Sequence, residues 1–237
     1  MRKHSSEKNQ SDIAYEILRQ KLINRELAPG MRVRYGPMGE EIGMSATPVR
    51  EAIGRLASEG LVELVPQLGA VVKRPTMRDM IELFEMREAI EPFAAAKASQ
   101  LINAKQLKVL QLSIDTMFNL HHSVAAGKVQ GRDVAAKFDQ SDLKFHQTIL
   151  NAVDNYRMLK VVGDIHLLTG IIGADRHSYN VDVLEQTIRD HNSVLDGLKK
   201  QDAELTRKAM MVHISNSQQL TLSMLRDESP NVADLSN

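Results

Sequence analysis

The chain has 237 residues, 43% hydrophobic and 25% charged, which is typical of a globular protein with one large domain or two small ones. It contains no cysteine, which excludes disulfides, thiolate nucleophiles and cysteine-ligated zinc sites. The formal net charge is zero, but residues 1–75 carry 12 Lys and Arg against 9 Asp and Glu, a mild excess that permits a nucleic-acid-binding N-terminal part.

Neither a membrane span nor a signal peptide is predicted. No apolar run approaches the roughly 20 residues that a span needs, and the first ten residues, MRKHSSEKNQ, contain no apolar segment. We therefore expect a cytoplasmic protein without a membrane partner. Glycine and proline are concentrated before residue 76, whereas the later sequence is almost continuously helical in pattern. The predicted domains are residues 1–75 and 76–237.

The N-terminal domain is predicted to contain three helices followed by a β-hairpin. The helices span about 11–24, 37–42 and 46–59, and the third has Ser45 as its N-cap and Gly60 as its stop. Two β-branched segments, LVELV and GAVVK, then form the hairpin. This order is the plan of a winged helix-turn-helix, in which the third helix enters the DNA major groove and the hairpin tip approaches the DNA backbone.

Three stretches of this domain, LAPGMRV, SATPVREAIGRLASEGLV and GAVV, resemble the winged-helix domain of the GntR family of bacterial transcription regulators. The resemblance covers about residues 12–75. It implies that Ser45, Thr47 and Arg50 meet DNA through the recognition helix and that Gly69 lies at the wing tip. Arg55, which lies outside the apolar stripe of the same helix, is a further candidate DNA contact.

Two positions depart from the family pattern. Ala46 stands where the family usually has an arginine, and the wing tip reads Gln67-Leu68-Gly69 where the family often has a basic residue. Both differences remove potential phosphate or base contacts.

The C-terminal domain is predicted to be an all-α bundle of six or seven helices, so the whole chain is mainly α. Six helical segments can be placed at 77–101, 104–126, 131–151, 154–176, 180–199 and 202–226. The fifth has an apolar stripe of Leu184, Ile188, Val194, Leu195 and Leu198. The sixth has an apolar stripe of Leu205, Ala209 and Val212.

Four ionisable residues fall on the apolar stripes of helices that are expected to pack together. Asp142 and His146, on the third helix, lie in line with Phe138, Ile149 and Val153, and His191 and His213 lie on the stripes of the fifth and sixth. Asp142 and His146 are four residues apart and therefore share one helix face. Burying such groups without partners is costly. One carboxylate and three imidazoles suit a divalent metal such as zinc, nickel, cobalt, iron or manganese. The alternative is a set of separate core histidines with hydrogen-bonded partners, and the joint pattern favours the metal.

The same domain resembles the FCD ligand-binding domain of FadR-type GntR regulators in the segments MREAIEPFAAAKA, DLKFHQTILNAVDN, RDHNSVLDGLKKQD and AMMVHISNS. Six helices indicate its VanR-like branch. The resemblance implies a metal, with zinc, nickel or manganese expected, on the Asp and three His positions that match Asp142, His146, His191 and His213.

The resemblance also implies that the metal and a nearby arginine, which matches Arg87, receive the carboxylate of a small organic or sugar acid. The alternative for Arg87 is an ion pair with Glu91, one turn further along the helix. Asn216, one turn after His213, is a second candidate effector contact.

These features predict a ligand-responsive transcription regulator that binds a palindromic DNA operator as a homodimer. The rivals are a metal-dependent enzyme with an Asp/His₃ site and a direct metal sensor. An enzyme is not expected, because the sequence has no H-E-x-x-H motif, no activated nucleophile pattern and no spare carboxylate that the pattern places near the ligands.

Overall fold

The computed structural model describes residues 9–24, 26–66, 68–74, 76–129, 132–173 and 181–227. The wing residue Gln67 and the predicted helix ends within 174–180 lie outside this part of the chain. The chain divides into two compact units, Met1–Arg74 with Gly170–Asp175, and Pro75–Thr169 with Arg176–Asn237. Within the described residues, no helix has the length and apolar content that a membrane span requires.

The first unit contains three helices, α1 (Gln10–Ile23), α2 (Tyr35–Ile42) and α3 (Ala46–Ser58). They match the three predicted helices to within two residues. Gly43 and Gly60 follow α2 and α3 with φ of +71° and +76°, a left-handed conformation that glycine adopts without steric cost. The core of the unit consists of apolar side chains from α1 and α3: Leu18, Leu22, Val49, Ile53 and Leu56.

The predicted hairpin is part of a three-stranded antiparallel sheet of order β1-β3-β2. Its strands are β1 (Arg32–Val33), β2 (Val62–Val65) and β3 (Gly69–Val72). The sequence did not predict β1, because two residues are too short for an alternating pattern. In β1 Val33 pairs with Ala70, and a Cβ on Gly69 would lie 2.7 Å from the Val33 carbonyl oxygen. Gly69 therefore lets β1 approach β3 closely.

Six helices follow the sheet within the described residues, and apart from the last four residues of α7 they belong to the second unit: α4 (Met77–Ala98), α5 (Ala104–Ala125), α6 (Arg132–Ala152), α7 (Tyr156–Gly173), α8 (Val181–Lys199) and α9 (Ala203–Asp227). Capping boxes begin α4, between Thr76 and Asp79, and α5, between Asn103 and Gln106. Helix α9 packs against α4 and α8, and α5 packs against α6 and α8. The fold is thus mainly α, as predicted.

The apolar stripe predicted for α9 is wrong. Leu205 and Val212 are 39% and 54% exposed, and the buried face carries Thr206, Met210, His213 and Ile214. On this buried face α8 approaches closely, since a Cβ on Gly197 would lie 2.5 Å from Thr206 Oγ1. A short side chain fits that contact, whereas a leucine does not.

Candidate metal centre and nucleic-acid interface

The bundle brings together the four side chains that the sequence singled out. Asp142 and His146 come from α6, His191 from α8 and His213 from α9, and one ligand atom from each lies within 4.8 Å of the others. His146 Nε2 is 3.1 Å from His213 Nε2, and His191 Nε2 is 3.2 Å from Asp142 Oδ1. All three imidazoles are buried, and Asp142 is half-buried.

The spacing and orientation of these atoms fit a divalent metal. Ligand atoms about 2.0–2.1 Å from a metal lie roughly 3.0–3.4 Å from one another. His191 Nδ1 lies 2.8 Å from the Thr187 carbonyl oxygen and donates to it, so the lone pair of His191 Nε2 faces the cluster. That buried Nε2 has no aligned hydrogen-bond partner. A metal would satisfy it.

The protonation states also suit metal binding. Burial alone would raise the pKa of Asp142, but His146 and His191 hold it well below its usual range. Burial, followed by the neighbouring His191 and His146, lowers the pKa of His213 well below its usual value. Metal ligands must be deprotonated, so an ionised carboxylate beside a neutral imidazole is the required state.

A second cluster, which the sequence did not predict, lies beside the first and shares His146. Its hub is Glu91, 2% exposed on α4. Glu91 Oε1 accepts a hydrogen bond from Arg87 Nε at 2.6 Å and lies 3.2 Å from His166 Nε2. Glu91 Oε2 lies 2.5 Å from His146 Nδ1, as an ion-pair contact without full hydrogen-bond alignment. A carboxylate beside Nδ1 orients the His146 ring so that Nε2 points towards the other candidate metal ligands.

Electrostatics keep this second cluster in a defined charge state. Burial raises the pKa of Glu91, but the Arg87 guanidinium and His146 outweigh burial and hold it well below the usual range. Burial and the Arg87 charge lower the pKa of His166 to about 4, so its imidazole is neutral near pH 7. The spacing of Arg87 and Glu91 was a sequence signal for their ion pair, whereas His166 has no such signal.

Each of the two candidate effector contacts is bonded to a carboxylate that lies beside one of the clustered histidines. Arg87 is 4% exposed and forms the ion pair with Glu91, yet its Nη2 is buried without a hydrogen-bond partner. Asn216 Nδ2 donates to Asp190 Oδ2 at 2.9 Å, and that oxygen lies 4.0 Å from His213 Nδ1. Arg87 therefore retains binding capacity, whereas Asn216 is engaged with a carboxylate beside the ligand His213.

Three candidate DNA contacts lie at the start of α3. Ser45, Thr47 and Arg50 are exposed. Ser45 is the N-cap residue of α3, as predicted, but its side chain makes no capping hydrogen bond. The Arg50 guanidinium lies 5.3 Å from the centre of the Tyr35 ring. The N-terminal amides of α3 and the Ser45 hydroxyl are therefore free for an anion such as a phosphate.

The other two candidates have intramolecular contacts. Arg55 Nη1 lies 2.6 Å from Asp12 Oδ1, and its guanidinium stacks 3.9 Å from the centre of the Tyr15 ring. Both contacts tie α3 to α1. Gly69 is the first residue of β3, half-buried against β1.

Comparison with known families agrees with this architecture. The model for "Bacterial regulatory proteins, gntR family" matches residues 10–72, and the FCD domain model matches residues 82–216, more than half of the chain.

Characterised relatives are transcription regulators. The chain is 27% identical over 205 residues to the HTH-type transcriptional repressor RspR of Escherichia coli K12, covering 84% of this chain and 83% of that protein. It is 24% identical over 206 residues to the gluconate operon transcriptional repressor of Bacillus licheniformis, covering 81% and 77%. Among solved structures, E. coli McbR/YncC superposes with a TM-score of 0.77 at 21% identity, covering 91% of this chain and 98% of that one.

Proposed function

The chain belongs to the GntR family of bacterial transcription regulators and carries an FCD domain, and from this premise we propose that it controls transcription in response to a small carboxylate bound at a divalent metal. The metal is zinc, nickel or manganese, held by Asp142, His146, His191 and His213. The observation that carries the proposal is the convergence of these four ligand atoms within 4.8 Å in a bundle core.

The effector is an organic or sugar acid. The bound metal supplies a Lewis-acidic position for one carboxylate oxygen. The free Nη2 of the buried Arg87 supplies a charge-assisted donor for the other. Asn216 acts beside them through Asp190. A sugar acid is in keeping with the gluconate operon repressor among the relatives.

The DNA-binding domain, residues 1–75, meets the operator through Ser45, Thr47 and Arg50, and Arg55 and Gly69 support that surface. A single winged helix reads only a few base pairs, so a homodimer on a palindrome is expected. Effector binding in residues 76–237 changes the DNA affinity of the dimer, which is a coupling between two sites.

Metal analysis of tag-free protein tests the core of this proposal. We expect about one divalent ion per chain and a lower melting temperature after chelation, because a metal that binds only the folded chain stabilises it. His146→Ala, His191→Ala and His213→Ala should each lose the ion, and the triple variant should be insensitive to chelator. Exposed His122→Ala is the matched control and should retain it.

An absence of metal, together with no stabilisation by added zinc, nickel or manganese, would show a hydrogen-bonded polar core and remove the metal from the mechanism. A protein that releases DNA on metal addition alone, with no acid present, would instead be a direct metal sensor. The unpartnered Nη2 of Arg87 favours the carboxylate.

A further inference from the structure

The wing tip is uncharged in sequence, but an arginine side chain from another strand lies against the wing turn. The turn closes with a hydrogen bond from Leu68 N to the Val65 carbonyl oxygen at 3.0 Å. Arg32, on β1, donates from Nε to the Leu68 carbonyl oxygen at 2.5 Å. The Arg32 guanidinium therefore rests on the wing turn, 36 residues away in the chain.

The bond through Nε leaves most of the guanidinium available. Arg32 is exposed, and its two terminal nitrogens have no partner among the residues that the structure describes. An arginine carries five N–H donors and stays charged at any physiological pH. The hydrogen bond to Leu68 fixes the group in place, which reduces the entropy lost when it binds an anion.

A second arginine continues this surface towards the recognition helix. In β1 Arg32 is exposed and Val33 is buried, and the next residue, Arg34, is again exposed. The Arg34 backbone lies next to the first residue of β3: a Cβ on Gly69 would be 3.7 Å from Arg34 Cα. Arg34 directly precedes Tyr35, over whose ring the Arg50 guanidinium lies. Positive charge thus runs from the wing turn along β1 to α3.

We propose that Arg32 and Arg34 are the phosphate-binding cations of the wing, supplied by β1 in place of a basic wing tip. No acidic residue lies in the first turn of α2, which Arg34 precedes, so nothing there repels a phosphate. The inference depends on DNA binding by the first unit and is independent of the metal and the effector. It explains how a wing that reads Gln67-Leu68-Gly69 can still contact the DNA backbone.

The test is the salt dependence of binding by the full-length protein to a 30-base-pair duplex of arbitrary sequence, followed by fluorescence anisotropy. Each lost phosphate contact should reduce the slope of log affinity against log salt by about 0.9, which is about eightfold in affinity at 0.1 M salt. Arg32→Ala and Arg34→Ala should each show this loss. Arg78→Ala, an exposed arginine of the second unit, should not.

Two further variants separate charge from structure. Arg32→Gln can still donate to the Leu68 carbonyl oxygen but is uncharged, so it should lose the same slope as Arg32→Ala. Adding Leu68→Lys to Arg32→Ala returns a cation to the exposed turn and should restore the slope. A wild-type slope in Arg32→Ala and Arg34→Ala would overturn the proposal. A wild-type slope in Arg32→Gln would also overturn it. The same holds if adding Leu68→Lys to Arg32→Ala fails to restore the slope while the melting temperature of the double variant equals that of the wild type.

Discussion

At the scale of single residues, the bundle core depends on charges that stabilise each other. Glu91 is buried with Arg87, His146 and His166 around it. Removing one partner of a buried ion pair leaves an uncompensated charge and typically costs about 3–5 kcal/mol. Because Glu91 contacts both Arg87 and His146, a ligand that repositions Arg87 also alters the support of His146. In the proposed mechanism, this carboxylate couples the effector and the metal energetically.

The histidines of the core predict a specific loss of stability at mildly acidic pH. His166 has a pKa of about 4 in the folded chain against an ordinary 6.5, and the pKa of His213 is also lowered. Between these values the unfolded chain binds a proton that the folded chain does not, so stability is complete above pH 6.5 and falls towards pH 4. The titration of His166 alone accounts for a loss of up to about 3 kcal/mol in the free energy of unfolding.

Denaturant unfolding of chelator-treated protein between pH 7.5 and 4.5 measures this effect. Above about pH 5.5 the carboxylates of Asp142 and Glu91 do not interfere, because groups with lowered pKa values lose their stabilising effect only as the pH falls through their ordinary values of 3.8 and 4.5. His166→Gln should flatten the profile, and exposed His122→Gln should leave it unchanged. A wild-type profile that is flat between pH 7 and 5 would contradict the prediction.

The sequence singled out part of this site, for a physical reason. Asp142 and His146 were identified because they lie four residues apart on an apolar face. His191 and His213 were identified because they interrupt predicted apolar stripes. His166 and the hub role of Glu91 depend on how α4 and α7 meet. No spacing within one helix encodes that meeting, so only the folded bundle reveals it.

At the level of secondary-structure elements, the relative position of α8 and α9 determines how two of the candidate metal ligands meet. His191 lies on α8 and His213 on α9, and the two rings are 4.4 Å apart between centres. The helices approach closely at Gly197, where a Cβ would lie 2.5 Å from Thr206 Oγ1 and 2.9 Å from Thr206 backbone atoms. The glycine therefore keeps the two helices that carry these histidines in contact.

Gly197→Ala should consequently destabilise the protein, even though alanine is the better helix former. Overpacking at a helix contact typically costs about 1–3 kcal/mol, which exceeds the roughly 1 kcal/mol gained in helix propensity. Metal affinity should fall as well, because the ligands on the two helices move apart. Gly163→Ala on α7 is the matched control: its Cβ meets nothing within 4 Å, so it should be neutral or stabilising. Equal unfolding free energies for the two variants would contradict the close contact.

The helices themselves were predictable, whereas their contacts were less so. All six C-terminal helices were predicted from the sequence, and within the described residues they end within a few residues of the predicted positions. The α9 stripe was wrong because Leu205 and Val212 look like core residues, while the true contact needs the smaller Thr206. The sequence did not predict strand β1, because this two-residue strand is defined by its pairing with β3 and not by a pattern of its own.

At the scale of the whole molecule, recognition and sensing are assigned to different compact units. Arg50 lies in the unit that matches the gntR model, and Arg87 lies in the unit that matches the FCD domain. In chain order α4, the helix that carries Arg87 and Glu91, is the first element after the sheet. In the proposed mechanism, effector binding therefore acts on the helix nearest in sequence to the DNA-binding unit.

This division predicts that DNA binding and effector response can be lost separately. Arg50→Ala should weaken specific operator binding roughly 5- to 150-fold, since a bidentate base contact is worth about 1–3 kcal/mol, yet keep wild-type metal content and melting temperature. Arg87→Ala should bind operator normally but no longer respond to the acid that stabilises wild type in a thermal-shift screen of organic and sugar acids. The lost charge-assisted pair is worth about 1.5–3 kcal/mol, a shift of roughly tenfold or more in effector concentration.

Gel-shift titrations at fixed salt, with and without the acid, measure both losses on one operator selected with the wild-type protein. The design separates the failures. Unchanged operator affinity in Arg50→Ala would remove that side chain from the DNA interface without affecting the sensing mechanism. Release of DNA by Arg87→Ala at the wild-type acid concentration would make Arg87 a structural partner of Glu91 alone. The metal would then have to bind the effector without a guanidinium, and the unpartnered Nη2 of Arg87 would donate to a group other than the effector.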